Sequence, residues 1–237
     1  MRAVMETVDA MREHWPATPE ELVHAQERLG QATPEPWAVP EYPPVAAGCF
    51  VCFGRGESGA GHAGDEGWAA AVALHGRRVL ARSVVHGAAG AAYEAGLLAL
   101  REGPLLEAAV RRLGIEFDVL LVNATGRDHP RRAGLAVHLG AVLGVPSVGV
   151  THRPLLAEGD WPEDVPGASS PLAIRAEVVG YWLRTRAGKR PLAIHAGWRT
   201  TPDVALEVIR RVAIRVRTPE PIRQARKLAR LERAHAG

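Results

Sequence analysis

Residues 117–151 read FDVLLVNATGRDHPRRAGLAVHLGAVLGVPSVGVT, and the order of elements in this stretch decides the fold. Val119-Leu120-Leu121-Val122 is a short unbroken apolar run, the mark of a strand buried on both faces. Asn123-Ala124-Thr125-Gly126 interrupts it with small and polar residues. Asp128-His129-Pro130-Arg131-Arg132 then opens a helix: an acceptor, followed by a proline whose missing N–H costs nothing in a first turn. The helix is predicted to run to Leu143, with Gly144 as its C-terminal cap. Val145 to Val150 is a second buried strand. Such a strand–helix–strand unit makes its strands parallel and places ligands at the loops after their carboxyl ends.

Upstream of this unit, Ala88 to Leu113 is mostly helical, with Leu97, Leu98, Leu105, Leu106, Ala109 and Val110 at helical spacing. Pro104 is predicted to begin a fresh helix after a break at Gly103. Ala46 to Phe53 reads as the first strand, and Gly54 to Gly67 as a glycine-rich loop. Trp68 to His75 and Arg77 to Val85 form a hairpin turning at His75-Gly76-Arg77. Earlier still, Glu20 to Leu29 is a short helix introduced by Thr18-Pro19, and Pro34 to Pro44 is an extended connector. Downstream, 156–171 is a Pro/Ser/Gly-rich loop, Ala176 to Arg184 and Pro191 to Ala196 are strands, and Thr201 to Ala213 is a helix. Arg223 to Arg233 is a terminal basic helix. Three antiparallel strands followed by a parallel unit predict an α/β protein, a mixed five-stranded sheet flanked by helices. The chain is expected to form one domain, 1–237: an acidic N-terminal arm (1–45), a core (46–213) and a basic C-terminal helix (214–237).

A chain 47% hydrophobic and 23% charged is globular, and no apolar run is long enough to span a membrane. The start, MRAVMETVDAMREHW, lacks the apolar core of a signal peptide. Cys49 and Cys52 lie on a predicted strand with no second pair, so they read as small apolar residues in a reducing cytoplasm. Charge is segregated along the chain. Residues 1–45 hold Glu6, Asp9, Glu13, Glu20, Glu21, Glu27, Glu35 and Glu41 against Arg2, Arg12 and Arg28. Residues 210–233 hold Arg210, Arg211, Arg215, Arg217, Arg223, Arg226, Lys227, Arg230 and Arg233 against Glu220 and Glu232. A basic stripe of that density suits a phosphate-bearing partner.

VNATGRDHPRRAGLAVHLG followed by VPSVGVTHRPL resembles the central signature of the endonuclease V family, and GWRTTPDVAL and RTPEPIR resemble its later motifs. The resemblance covers roughly residues 20–230 and implies an RNase H-like fold and Mg²⁺- or Mn²⁺-dependent cleavage of DNA or RNA near deaminated purines, chiefly inosine. Such chemistry needs clustered carboxylates around the metal. The family's AGADVGF strand is matched by Ala47-Gly48-Cys49-Phe50-Val51-Cys52-Phe53, which puts Phe50 in the aspartate position. Its FREYP motif is matched by Leu100-Arg101-Glu102-Gly103-Pro104, which keeps Glu102. VDGHG is matched by Val122-Asn123-Ala124-Thr125-Gly126, with Asn123 for the aspartate, and GHR by Gly197-Trp198-Arg199, with Trp198 for the histidine. On the substrate side, Tyr93 stands in the place of a PYIP wedge, Gly96 and Leu98 match base-pocket positions, and Ala124 follows Asn123. His152, with Arg153 beside it, stands where the family has a phosphate-contacting lysine. His129 and His138 match family histidines; on their own patterns His129 reads as a helix-entry residue and His138 as a core histidine.

Three readings follow. In the first, the chain is a pseudoenzyme that holds DNA or RNA, inosine-containing or single-stranded, with no metal. In the second, it is an active Mg²⁺- or Mn²⁺-dependent endonuclease with a rearranged site, Glu102 helped by Asn123 or by His62, Asp65, Glu66 and His195. In the third, the fold is reused for small-molecule chemistry or as a partner-binding subunit, with Phe50 and Trp198 lining an apolar cavity. The loss of three of the four ligand positions favours the first, because Mg²⁺ dehydrates reluctantly and is held by carboxylates.

Overall fold

A computed structural model describes residues 15–54, 59–213 and 216–236. Of the segregated charges, Glu6, Asp9, Glu13, Arg2, Arg12 and Arg215 lie outside the described residues. The first helix, α1 (Pro19–Gln31), starts where Thr18 accepts from the Glu21 N–H and a proline fills the first turn. It leads to β1 (Val45–Phe53), β2 (Glu66–His75) and β3 (Arg78–Ala88), then α2 (Leu98–Arg111). The central unit is β4 (Val119–Val122), α3 (Leu135–Leu143) and β5 (Ser147–Thr151). β6 (Ser169–Ile174), β7 (Glu177–Leu183) and β8 (Leu192–Ala196) follow, and then α4 (Pro202–Val212) and α5 (Glu220–Ala236).

The eight strands among the described residues form one sheet, in the order β3-β2-β1-β4-β5-β8-β7-β6. The first five places are the five-stranded RNase H-like sheet read from the sequence: antiparallel β1–β2 and β2–β3, parallel β1–β4 and β4–β5. β8, β7 and β6 extend it with antiparallel pairing. β6 falls at the end of the stretch read as a loop. Pro171 breaks its strand pattern and is tolerated because β6 is the edge strand.

Every residue of β4 is fully buried, because the sheet is covered on both faces. One face sends Ala47, Cys49, Val51, Leu120 and Val122 into a core with Leu105, Leu106 and Ala109 of α2 and Leu135 and Leu139 of α3. On the other, Val119, Leu121, Val148 and Val150 pack with Leu206, Val208 and Ile209 of α4 and Ile222 of α5. α5 seats directly on β1: a Cβ at Gly48 would lie 2.5 Å from the Ile222 nitrogen and the Pro221 carbonyl carbon. Only glycine permits that approach.

Two helix starts differ from the sequence reading. α2 runs unbroken through Pro104, which forfeits only the bond to the Leu100 carbonyl while Leu105, Leu106, Ala109 and Val110 bury against the sheet. α3 begins at Leu135, not Asp128. The Asp128 carboxylate accepts instead from the N–H groups of Leu155, Leu156 and Ala157, and Arg132 sits at φ 56, which no helix continues through. Residues 128–134 are therefore an ordered loop over the ends of β4 and β5.

Candidate functional site

At those strand ends lies a cavity of about 300 Å³. Its lining includes Tyr93, Gly96, Leu98, Asn123, Ala124, His129 and Arg153, so the substrate-side positions named from the sequence converge here except His152, which is exposed. Tyr93 is 52% exposed, with its backbone N–H donating to the Ala60 carbonyl. Gly96 holds φ +84, a conformation that glycine adopts freely. Its carbonyl receives Gln26 Nε2 at 2.9 Å and His129 Nε2 at 3.0 Å. The Arg131 N–H donates to His129 Nδ1, so the imidazole proton sits on Nε2 and points at Gly96. Burial lowers the pKa of His129, which keeps that neutral tautomer. Gln26, fully buried on α1 and bonded to Arg131 Nε at 2.7 Å, is a wall of this cavity that no local pattern in the sequence announces.

Asp128 pins the segment that carries Leu155, another lining residue. Its oxygens lie 2.6–2.8 Å from three successive backbone nitrogens, Leu155 to Ala157. Beside it, His195 contacts Thr151 Oγ1 through Nε2 at 2.8 Å, and its Nδ1 faces Asp128 at 3.6 Å. Burial pushes the His195 pKa down to about 4 against the opposing pull of Asp128. His138 is a core residue, stacked on Trp15 at 4.6 Å, and burial drops its pKa to about 4 as well.

The positions read from the family motifs as metal ligands hold Phe50, Glu102, Asn123 and Trp198. Successive strand residues face opposite ways. Phe50 therefore faces α5, partly buried with Leu228, while Cys49 lies on the face that α2 covers. Burial raises the pKa of the Cys49 thiol, and Glu102, on α2, is close enough to raise it further. Burial pushes the Glu102 carboxyl up to about 7, with Arg101 pulling the other way. Trp198 lies away from Phe50, contrary to the expectation of a shared cavity: it packs with Leu29, Ala133, Val137 and Ala141 under α3, its backbone N–H donating to Ser147 Oγ. The residue that joins Phe50 and Asn123 is Arg226 of α5, which the sequence reading counted only as one charge of the basic stripe. It donates to Asn123 Oδ1 at 3.2 Å, and its guanidinium lies 5.1 Å from the Phe50 ring centroid.

A relocated metal site finds no support either. Asp65 is bound to Arg101 at 2.7 Å and accepts from the His62 N–H, and His195 faces Asp128 and Thr151 instead. Among the described residues, no three His, Cys, Asp or Glu side chains come together as a metal-binding group. A ring, an amide and a guanidinium do not fit Mg²⁺, which takes oxygen ligands and carboxylate charge.

Comparison with known proteins supplies the family. The family model for endonuclease V matches residues 55–227. A Methanopyrus kandleri endonuclease V is 44% identical over 169 residues, 70% of this chain and 73% of that protein. The crystal structure of a Streptomyces avermitilis endonuclease V superposes with a TM-score of 0.82 at 33% identity, covering 94% of this chain and 96% of that one. The fold is also that of a Ciona intestinalis endonuclease V solved with a 24mer DNA containing an inosine, with TM-score 0.76, 20% identity and coverage of 93% and 100%. By the extent of the family match and the identity of these relatives, the chain belongs to the endonuclease V family.

Proposed function

We propose that this protein binds nucleic acid, takes an extruded base into the cavity beside Asn123, and does not cut the strand. The observation that carries this reading is a split within the site. The base-side residues meet in one cavity, while the metal-side positions hold an aromatic ring and an amide joined by a guanidinium. The cavity, at the small end of the roughly 300–1,000 Å³ range of ligand pockets, suits a single base. Leu98 and Ala99 in the first turn of α2 and Leu135 in that of α3 line it, and neither helix has a side-chain cap. First-turn N–H groups lack intrahelical acceptors; Ala136 donates to the Thr125 carbonyl and Leu100 to Leu97, and the remaining ends at Leu98, Ala99 and Leu135 favour a base with an outward carbonyl oxygen, as in hypoxanthine. The inosine-containing DNA held by the Ciona relative is in keeping with that class of ligand. No described helix is long and apolar enough to cross a membrane, and the buried, unpaired Cys49 and Cys52 suit a reducing compartment such as the cytoplasm.

The test uses a labelled single-stranded oligonucleotide with one inosine, as DNA and as RNA, incubated with Mg²⁺ and then Mn²⁺. Binding without cleavage is the expected result. Cleavage that disappears in Glu102→Ala would show a working metal site around that carboxylate and overturn the reading.

A further inference from the structure

The place between Phe50 and Asn123 is filled by a cation that belongs to the chain itself. Arg226 is partly buried, and its bond to Asn123 Oδ1 is to a neutral acceptor. Its Nε is buried with no hydrogen-bond partner, and no carboxylate lies within salt-bridge distance of Arg226, Arg230 or Arg217 among the described residues. Arg230, one turn along α5, sits 5.8 Å from the same Phe50 ring. Burial lowers the pKa of Arg226, and the charges of Arg230 and then Arg217 lower it further. The same field reaches His152, whose pKa is lowered by burial and then by Arg217, Arg226 and Arg190.

Structural arginines in this protein look different. Arg127 spends its guanidinium on the carbonyls of Leu29, Gly30, Ala32 and Arg132. Arg184 binds Pro162 and Glu163 carbonyls and pairs with Asp164. Arg226 and Arg230 instead face the Phe50 ring with no carboxylate partner among the described residues, Arg226 partly buried and Arg230 exposed. Arg217, whose Nε donates to the Arg190 carbonyl at 3.0 Å, adds positive charge beside them, so that an anion would gain most at the partly buried Arg226. Their position says which anion. Asn123 both accepts from Arg226 and lines the cavity, so a nucleotide with its base in that cavity carries its backbone past this cluster.

We propose that Arg226, with Arg217 and Arg230, is a metal-independent phosphodiester site, the guanidinium taking over the phosphate-neutralising role of a divalent cation. A guanidinium binds a phosphate through parallel N–H groups and needs no ligand set, so Phe50 serves as its stacking platform and Asn123 as its tether. The inference rests on the reading of the protein as a nucleic-acid binder, and the experiment separates the two.

The measurement is fluorescence anisotropy of a labelled single-stranded inosine oligonucleotide with the full chain, once in EDTA and once in Mg²⁺. Binding in EDTA at least as tight as in Mg²⁺ is expected, since Mg²⁺ here acts only as a competing counterion. Arg226→Gln should weaken binding about 10-fold or more, the loss of one charge-assisted contact. Arg226→Lys should retain part of it. Phe50→Asp keeps Arg226 but gives it a carboxylate partner, and should weaken binding comparably. Circular dichroism confirms that each variant is folded. Binding that requires Mg²⁺, or that folded Arg226→Gln and Phe50→Asp leave unchanged, overturns this inference and leaves the binding reading standing. No binding by the unmodified chain in either buffer overturns both.

Discussion

At the scale of single residues, Glu102 offers the sharpest test. Burial raises its carboxyl pKa to about 7 from 4.5, with Arg101 pulling the other way. The sign of the linkage follows. The folded state holds the Glu102 proton more tightly than the unfolded state, so its contribution to stability is complete below about pH 4.5 and is lost as pH rises to about 7. Glu102→Gln stays neutral throughout. Between pH 5 and pH 8 the unmodified chain should therefore lose roughly 2–3 kcal/mol relative to the variant in urea unfolding. A gap that does not change with pH would mean that Glu102 ionises normally. Asp128 carries the opposite kind of weight. Three backbone N–H groups depend on it, and an asparagine amide cannot accept from them all. Asp128→Asn should cost about 1–3 kcal/mol for each donor stranded, read by thermal melting, and should loosen the cavity wall at Leu155.

At the scale of elements, α5 is both a packing helix and the carrier of the phosphate cluster. Ile222, Ala225 and Ala229 are fully buried against the sheet. Because its first turn lies against Gly48, Gly48→Ala should push α5 away from β1. The expected cost is about 1–3 kcal/mol in stability, the usual penalty for overpacking. Oligonucleotide affinity should fall with it even though no basic residue has changed; unaltered affinity in a destabilised variant would separate α5 from binding. The same helix shows what a sequence can and cannot reveal. β4, α3 and β5 are legible because burial on both faces writes an unbroken apolar run, and the β2–β3 turn because Gly76 sits at φ +57. Tyr93, Gly96, Leu98, Ala124 and His129 are legible through motif resemblance. Arg226 is not, since its role depends on packing that brings α5 over β1 and β4, far away in sequence. Gln26 is hidden for the same reason, and the start of α3 because Asp128 caps a distant loop rather than its own helix. Trp198 misleads because its place in a motif says nothing of which core it enters.

At the scale of the whole molecule, a net charge of +3 is too small to explain strong attraction to nucleic acid. What matters is that Arg226 and Arg230, without a carboxylate partner among the described residues, stand over Phe50 beside Asn123, a cavity-lining residue, while acidic residues dominate residues 1–45. Arginine does not deprotonate in the working range, and the pKa of His152 is shifted down, away from neutrality. Affinity for a single-stranded oligonucleotide should therefore be flat between pH 7 and pH 9, unlike a metal-dependent complex whose ligands and bound water titrate. It should respond to salt instead. If Arg217, Arg226 and Arg230 each displace one counterion, the logarithm of the binding constant should fall against the logarithm of salt concentration with a slope of about −2. Arg226→Gln should flatten that slope by roughly 0.7. A slope that does not change in this variant would place the phosphate contacts elsewhere on the basic surface. A slope near zero would mean that the cavity takes a base without gripping its backbone. A localised cluster thus predicts a countable salt dependence that one substitution alters, whereas diffuse attraction to a basic surface does not.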